Sequence, residues 1–398
     1  MKEYDLLYTQ LQKDFPAIKP APKWLAYSAD FHLKITNFNE ATELYRLALR
    51  MDFAILPVGA GSFLPPKSAQ PTLGISLPRR KGSLVLQSER LTLEADCSVA
   101  IDQVNKTLDR AGLNLRHLPS NPNSTLGGWL GSSARGIERL DRGGREWSLI
   151  GGEYLLYGGG QGFVGRRTLK GVAGYELSRL LQGKWGRLGF AESLVLRLRP
   201  KTERELLVLV CPSEPAGWAE LFGELPFKLK TLMGLELVDR TSAPFVGWSV
   251  AGPRFAALAW LAGPANAVER EAGELVSALS GGGNLEVGAD DSWRRELGEF
   301  RQRISNRGEM KQMLHLTVDS SVAPRLLSWA EKKELGEVVL VGHLIDGEYE
   351  LYLRNGNLPE LPSGVWIERR IWITEGRWRL AEAPGIEPVV LDIFNSQG

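Results

Sequence analysis

Apolar and polar positions along the first quarter of the chain follow the spacing of short helices and strands. Leu44, Leu47 and Met51 share one face of a helix predicted over 39–51, with Asn39 as its N-cap. The same reasoning predicts helices over 4–15 and 99–111, and strands over 53–58, 83–86, 92–95 and 193–198. A Pro-rich linker follows the first helix, so the predicted elements begin as a separate N-terminal segment.

A second pattern begins after Pro200, where apolar runs of strand length alternate with helical stretches. This alternation predicts an α+β domain with an antiparallel sheet covered on one face. The predicted strands span 206–210, 231–238, 255–261, 313–318, 337–344, 349–353 and 366–373, and the predicted helices span 218–225, 265–279, 292–303 and 322–332. We therefore divide the chain into an N-terminal helix and linker (1–34), a first domain (35–200) and a C-terminal domain (201–398).

Composition narrows the class of protein. Of 398 residues, 43% are hydrophobic and 24% are charged, which is typical of a globular chain with a real core. The 48 Lys and Arg residues balance 47 Asp and Glu residues, so the net charge of +1 gives no field that would recruit nucleic acid or an anionic membrane. The sequence shows no signal peptide and no apolar run of membrane-spanning length. We therefore expect a cytoplasmic protein, with any peripheral membrane association made through partners.

Cysteine and histidine usage excludes several kinds of site. Cys97 and Cys211 are too few for an Fe–S cluster or a disulfide framework; isolated buried thiols fit them best, and a single bridge stays open. The four histidines lack metal-ligand spacing, so we expect no metal site.

Glycine is distributed very unevenly. The chain has 44 glycines, and 18 of them lie within the 63 residues of 127–189. Because glycine and turn residues dominate from Pro119 onward, this stretch is predicted to be mostly loop. The segment 131–190 also has ten basic and five acidic residues, a local excess of +5. That excess suits a phosphate-bearing cofactor, although for most individual arginines a solvated face is the plainer interpretation.

Three glycine clusters, one near residue 60 and two in the region from 125 onward, each have a functional and a structural interpretation. The first, 59–62, follows a predicted strand and exposes backbone N–H groups that suit a pyrophosphate; alone, it also fits a tight turn. The second, 125–136, interleaves Gly and Ser with Leu and Trp, which favours a packed segment over a flexible linker. The third, 170–189, predicts a helix between glycine-marked ends, with these side chains inward: Leu177, Leu180 and Leu181.

In order and spacing, the three clusters resemble the FAD-binding domain of the PCMH-type vanillyl-alcohol oxidase superfamily. The string KGVAGYELSRLLQGKWGRLG over 170–189 carries most of the likeness, and the similarity covers 35–200. Within the superfamily the chain is most similar to the FAD-binding second flavin subunits of bacterial glycolate oxidases, which are related to D-2-hydroxyacid dehydrogenases. The resemblance implies a two-subdomain FAD-binding domain followed by an α+β cap-like domain.

The resemblance also implies a set of FAD contacts. The residues that would hold the pyrophosphate are Gly59, Ala60, Gly61, Ser62 and Phe63. Those that would lie along the isoalloxazine, phosphates and ribityl chain are Thr125, Gly127, Gly128, Ser132, Ser133 and Gly136. The adenine end would be reached by Ile150, Phe190 and Ala191, and the residues near the cofactor cleft would be Lys170, Gly174 and Tyr175. The positions from which relatives bind flavin covalently hold no histidine or cysteine, so the resemblance implies non-covalent FAD.

Oxidation of a 2-hydroxyacid needs a base for the hydroxyl proton and cations for the carboxylate. Catalytic relatives carry paired histidines and a glutamate–histidine motif that this C-terminal half lacks. His315 and His343 each lie in a predicted strand, where a structural histidine is the plainer interpretation. His315 is the better candidate base, because Leu314 and Leu316 would face the core and leave His315 on the opposite face.

The resemblance implies an FAD-binding subunit of a multi-subunit glycolate or other 2-hydroxyacid oxidase or dehydrogenase. Such a chain would pair with a homologous catalytic flavoprotein subunit and an Fe–S subunit, since it has too few cysteines for its own Fe–S relay. Two alternatives stay open at this point. One is a non-catalytic assembly subunit that keeps the fold with or without FAD, and the other is a self-sufficient flavoenzyme of the UDP-sugar enolpyruvate reductase kind.

Overall fold

The computed structural model describes residues 2–381 apart from 23–24, 27, 63, 66–69, 77–82, 119–122, 133–135, 137, 141–147, 158, 168–176, 211, 213–217, 219–220, 222, 224, 240–253, 279–284, 289–311, 334–337, 345, 356–358 and 375–376. Three sheet-based units follow one another along the chain. The predicted helix over 292–303 and Cys211 lie outside the described residues. Among the described residues, no helix is both long and apolar enough to cross a membrane.

The first unit is a four-stranded sheet with two helices. Its strands are β1 (Lys19–Pro20), β2 (Phe31–Lys34), β3 (Ala54–Val58) and β4 (Thr72–Ser76), and its helices are α1 (Lys2–Asp14) and α2 (Phe38–Met51). The strand order is β1-β2-β4-β3, β4 runs parallel to both neighbours, and α2 is the crossover between β2 and β3. Leu11 and Ile18 share a core with Leu44 and Leu73, so the N-terminal segment packs within this unit.

The second unit is a five-stranded antiparallel sheet. Its strands are β5 (Leu84–Gln87), β6 (Thr92–Asp96), β8 (Leu149–Leu156), β9 (Gln161–Gly165) and β10 (Gly189–Arg197), in the order β5-β6-β10-β8-β9. Its helices are α3 (Ile101–Arg110), α4 (Leu126–Gly131) and the single turn α5 (Leu177–Leu180), and a two-stranded ribbon joins β7 (Leu113–Asn114) to β11 (Arg199–Pro200). The two units together form the two-subdomain arrangement that the resemblance implied.

The third unit is a nine-stranded antiparallel sheet. Its strands are β12 (Arg204–Val210), β13 (Leu232–Asp239), β14 (Phe255–Gly263), β15 (Leu285–Gly288), β16 (Gln312–Val318), β17 (Val338–His343), β18 (Glu348–Leu353), β19 (Val365–Thr374) and β20 (Arg377–Ala381). The order is β15-β12-β14-β13-β17-β18-β16-β19-β20. Helices α6 (Leu225–Lys228), α7 (Ala265–Ala278) and α8 (Ala323–Glu331) accompany it. Side chains from α7 and α8 pack with one face of the sheet into a single apolar core. The predicted α+β fold with an antiparallel C-terminal sheet is therefore confirmed.

A buried charge joins α8 to this sheet. The guanidinium of Arg254 donates to Asp239 at 3.0 Å and to the carbonyl oxygens of Ala330, Lys333 and Val338. The Asp239 side chain is fully buried and that of Arg254 nearly so. Because a buried charge needs partners for its polar atoms, this set of bonds fixes the end of α8 against β13 and β17.

The prediction of a mostly looped stretch over 119–189 missed three regular elements. Strands β8 and β9 and helix α4 lie within it. The glycines of β8 serve close backbone approach: a Cβ on Gly151 would come within 2.7 Å of the Arg166 nitrogen, and one on Gly152 within 3.0 Å of the Tyr154 ring. Glycine in a strand can mark such an approach rather than a break, which is why a composition argument misread it.

Two smaller predictions also fail. The N-cap of α2 is Asn37, not Asn39, since the Glu40 N–H donates to Asn37 Oδ1 at 3.0 Å. In the third glycine cluster, Leu181 is buried as predicted, but Leu180 is 57% exposed because α5 ends after a single turn.

Candidate functional site

A cleft of about 1020 Å³, counted out to its open mouth, lies where the first and second units meet. Its walls come from four short stretches of chain, together with Ile75 of β4. The lining residues in those stretches are Pro57–Ser62, Cys97–Ser98, Ser124–Thr125, Gly127–Gly128, Leu130–Ser132, Leu181, Trp185–Gly186 and Gly189–Ala191.

The first wall is the loop after β3. Gly61 has φ +73°, a conformation that L side chains rarely adopt, so glycine is required at this turn. A side chain on Gly59 would collide with the Thr125 hydroxyl. The loop and the start of α4 can therefore lie this close only because residue 59 has no Cβ. Within the described part of the chain, no backbone carbonyl accepts a hydrogen bond from the N–H groups of Ala60, Gly61 or Ser62. These donors are available to an anionic group.

The second wall is helix α4. Thr125 caps it, because its hydroxyl oxygen accepts the Gly128 N–H at 3.1 Å. The Gly127 N–H donates to the Cys97 carbonyl at 2.8 Å, and a Cβ on Gly127 would come within 3.1 Å of the Cys97 Cβ. The helix therefore lies directly on the turn after β6. A Cβ on Gly131 would meet nothing within 4 Å, so the cleft is open at this position.

The third wall is the turn before β10. The Gly183 N–H donates to the Leu130 carbonyl and the Trp185 N–H to the Gly131 carbonyl, both at 2.9 Å. Gly186 has φ +76°, and a side chain there would strike the ring of Pro57. The three glycine clusters of the sequence thus converge: the first touches the second through Gly59 and the third through Gly186.

The cleft offers apolar, hydroxyl and backbone groups rather than charges. Its described lining residues include five hydroxyl side chains, the indole of Trp185 and the ring of Phe190. Burial raises the pKa of the Cys97 thiol well above its ordinary range, with Asp96 and Glu192 adding to the effect. The thiol therefore stays neutral and acts as a small apolar group in the floor.

These features fit FAD. Its pyrophosphate needs N–H donors and space close to the backbone, which the 59–62 loop supplies. Its flat ring systems need apolar and aromatic walls, which Leu181, Trp185 and Phe190 supply. Glycine occupies the positions where the three walls meet, so the cleft keeps space that a Cβ at those positions would fill.

The structure brings together most of the predicted contact residues. Those that line the cleft are Gly59, Ala60, Gly61, Ser62, Thr125, Gly127, Gly128, Ser132, Phe190 and Ala191. Two do not line it: Ile150 is buried within β8, and Gly136 packs against Leu118 and Glu138. Outside the described residues are Phe63, Ser133, Lys170, Gly174 and Tyr175. As contacts of FAD, all of these residues stay predictions.

Sequence reasoning missed part of the lining. The residues that it did not single out as contacts are Pro57, Val58, Ile75, Cys97, Ser98, Ser124, Leu130, Gly131, Leu181, Trp185, Gly186 and Gly189. Several of them lie inside the quoted glycine clusters, and the positive φ of Gly186 shows why that turn needed glycine. The Cys97–Ser98 turn had no local signal, because only the packing of α4 brings it to the cleft.

The two C-terminal histidines lie away from the cleft lining. His315 is half-buried on β16, opposite Glu350 and Arg369 in register, while Leu314 and Leu316 are buried in the core as predicted. His343 is buried at the end of β17 and pairs with Glu236 of β13. His343 is therefore held by a sheet neighbour, and the role of His315 as a base stays a prediction.

Comparison with known proteins identifies the first two units. Residues 30–169 match a family model described as an FAD binding domain. The chain is 26% identical to D-lactate dehydrogenase of Archaeoglobus fulgidus over 336 residues, which cover 79% of this chain and 73% of that protein. It is 28% identical to glycolate oxidase subunit GlcD of Bacillus subtilis over 178 residues, 44% of this chain and 38% of that protein.

Solved structures show the same fold. Alkyldihydroxyacetonephosphate synthase superposes with a TM-score of 0.62 at 15% identity, over 87% of this chain and 75% of that one. The 4-ethylphenol oxidase from Gulosibacter chungangensis superposes with a TM-score of 0.64 at 10% identity, over 88% and 82%. Both matches extend well beyond the FAD-binding units. The chain therefore contains a PCMH-type FAD-binding domain and is similar in sequence to D-lactate dehydrogenase and glycolate oxidase subunit GlcD.

Proposed function

We propose that this chain is the FAD-binding subunit of a multi-subunit glycolate or other 2-hydroxyacid oxidase or dehydrogenase. The observation that carries the proposal is the cleft itself, whose three walls are the glycine clusters that suggested a glycolate oxidase flavin subunit. Two relatives support the substrate class, because lactate and glycolate are both 2-hydroxyacids and their enzymes match this chain. The match to GlcD spans well under half of that relative, so the substrate of this chain is proposed and does not follow from the match itself.

The reaction removes a proton from the substrate hydroxyl and a hydride from the adjacent carbon. Bound FAD supplies the two-electron acceptor for such a hydride. The residues of this chain bind and orient the cofactor: backbone N–H groups of the 59–62 loop hold phosphate, and Leu181, Trp185 and Phe190 exclude water from the ring systems. Thr125 supports this arrangement by capping α4.

Partners complete the proposed complex. Electrons must leave the flavin for another carrier, and two cysteines cannot hold an Fe–S cluster in this chain. Among the described residues, no group of three or more His, Cys, Asp or Glu side chains could hold a metal ion. We therefore propose an Fe–S partner subunit and a homologous flavoprotein subunit that supplies the acid–base chemistry, in a cytoplasmic complex whose membrane contact is made by partners.

A second candidate is a non-catalytic assembly subunit that keeps the cleft. The chemistry of the lining favours it, because the described walls present hydroxyl, amide and apolar groups that bind a ligand without exchanging protons near neutral pH. In that case the chain would position its partners and hold FAD as a structural group or not at all.

Purification of the chain alone and with its candidate partner subunits separates the two functions. We expect a yellow protein that releases FAD on denaturation, with glycolate- or D-lactate-dependent dye reduction only in the assembled complex. Full activity of the lone chain would contradict the subunit role. An assembled complex that stays fully active when this chain carries no FAD would favour the assembly function.

A further inference from the structure

A continuous set of contacts runs from the cleft through Trp129 into the interior of the protein. Four residues of α4, namely Gly127, Gly128, Leu130 and Gly131, line the cleft, whereas Trp129 is buried in the protein on the same helix. Its indole Nε1–H donates to the backbone carbonyl of His117 at 2.8 Å. The position of α4 is therefore tied to the conformation of the segment at 116–118.

His117 has a backbone conformation that its neighbours must impose. Its φ is +62°, in the left-handed region that residues other than glycine rarely adopt. The carbonyl is bound by Trp129, and the N–H donates to the buried carboxylate of Glu138 at 3.0 Å. A Cβ on Gly136 would come within 2.6 Å of both that carboxylate and the Leu118 carbonyl, so Glu138 is closely packed here. Both backbone groups of His117 are thus held by side chains from elsewhere in the FAD-binding units.

The residues adjacent to His117 and Glu138 reach the C-terminal sheet. Arg139 is 9% exposed, and its Nη1 lies 2.6 Å from both Asp346 and Glu348, at the start of β18. The N–H of Leu140 donates to the Met233 carbonyl of β13 at 3.0 Å. Arg116 lies over the ring of Trp260 in β14, at 5.4 Å from its centroid. We call the residues 116–118 and 138–140 the seam.

We propose that the seam links FAD binding to docking of the C-terminal sheet, with Arg139 as the positioning residue. FAD bound in the cleft fixes α4, and α4 fixes His117 and Glu138 through the contacts above. Glu138 in turn fixes the backbone position of Arg139, whose guanidinium pairs with Asp346 and Glu348 at the start of β18. Linkage of two binding equilibria is reciprocal, so a docked sheet raises the affinity for FAD by the same factor as FAD strengthens docking. The linkage concerns FAD binding and is separate from the substrate and partner subunits proposed above.

Hydrogen exchange on the full-length protein, with and without FAD, tests the first half of the linkage. We expect FAD to slow amide exchange in β13, β17 and β18, although these strands do not line the cleft. Equal exchange rates in these strands with and without FAD would overturn the proposal.

Titration of FAD-free protein with FAD, followed by flavin fluorescence, tests the second half. We expect Arg139→Ala to weaken FAD binding about tenfold, within the usual range of such couplings, and to abolish the FAD-dependent protection. Arg139→Lys, which keeps the charge but only one strong contact, restores part of both. Glu348→Gln has a smaller effect in the same direction and decides the question if Arg139→Ala does not fold.

The matched control is Arg167→Ala. Arg167 also pairs with two carboxylates, Glu94 and Glu153, but it is 54% exposed and lies outside the seam. We expect this variant to bind FAD as the unsubstituted protein does. Unchanged FAD affinity in both Arg139→Ala and Glu348→Gln, or equal losses in Arg139→Ala and Arg167→Ala, would overturn the role of Arg139.

Discussion

The cleft and the C-terminal sheet bury polar groups in opposite ways. The described cleft walls rely on backbone N–H groups, hydroxyls and missing side chains, with glycine at each place where the walls touch. The C-terminal sheet instead buries a whole charge pair, Asp239 with Arg254, and satisfies it within the protein. A region that must receive a charged ligand keeps its donors available, whereas a region that must hold its own shape uses them internally.

The largest expected effect comes from breaking a charge pair in the C-terminal sheet. Asp239→Ala leaves the Arg254 guanidinium buried without its carboxylate, so we expect it to lower the free energy of unfolding by about 3–5 kcal/mol. Urea denaturation followed by tryptophan fluorescence measures the loss. As a control, Asp102→Ala removes an exposed i,i+4 partner of Lys106 and is expected to cost about 0.5 kcal/mol or less. Equal losses in the two variants would show that the buried pair does not hold the sheet.

The next effect comes from filling a missing side chain at the cleft. Gly186→Ala adds a methyl group at φ +76° and drives it into Pro57, so we expect a loss of about 2–3 kcal/mol in stability together with weaker FAD binding. Gly112→Ala provides the matched control, because Gly112 has φ +66° and open space around it. Its loss should be about 1 kcal/mol, with FAD affinity unchanged. Urea denaturation and FAD titration of both variants separate backbone strain from collision at the wall.

A smaller expected effect is the pH dependence of stability that the buried Cys97 thiol causes. Burial raises the pKa of Cys97 above its ordinary value of 9.0, so the thiol stays neutral in the folded protein while the unfolded thiol ionises. Its contribution to stability is therefore complete below about pH 8 and is lost as the pH rises through and above the unfolded pKa. Between pH 8 and pH 10 we expect the unsubstituted protein to lose about 1.5 kcal/mol relative to Cys97→Ala.

Urea denaturation of both proteins across this pH range checks the prediction. A constant difference between them would show that the thiol is already solvated in the folded state. The buried tyrosines Tyr45 and Tyr349 also have pKa values raised by burial, but they are common to both proteins and cancel in the comparison.

The sequence predicts the strands of the C-terminal sheet better than the strands next to the cleft. Strong strand patterns such as those of β12, β14 and β16 were predicted to within a few residues, because their apolar runs are long and bounded by turns. The resemblance carried by the glycine clusters named ten residues that line the cleft, four of them glycines. The strands β8 and β9 were missed because the same glycines resemble loop residues until their neighbours are known.

What the sequence does not predict depends on contacts between distant segments. Arg139 and Glu348 are 209 residues apart, and neither has a local pattern that marks a partner. The left-handed backbone of His117 likewise depends on Trp129 and Glu138, which local propensity does not reveal. Such contacts follow from how the units pack, so they require the structure.

Equilibrium FAD binding by Gly131→Leu tests whether the cleft between the glycine clusters holds FAD. Gly131 lines the cleft, and a Cβ there meets nothing within 4 Å, so a larger side chain at this position starts in the ligand space. Gly162→Leu is the control, because Gly162 also has open space but lies on β9, outside the cleft lining. We predict that Gly131→Leu abolishes FAD binding with unchanged stability, while Gly162→Leu binds FAD normally. FAD binding of unchanged affinity in Gly131→Leu would contradict the account.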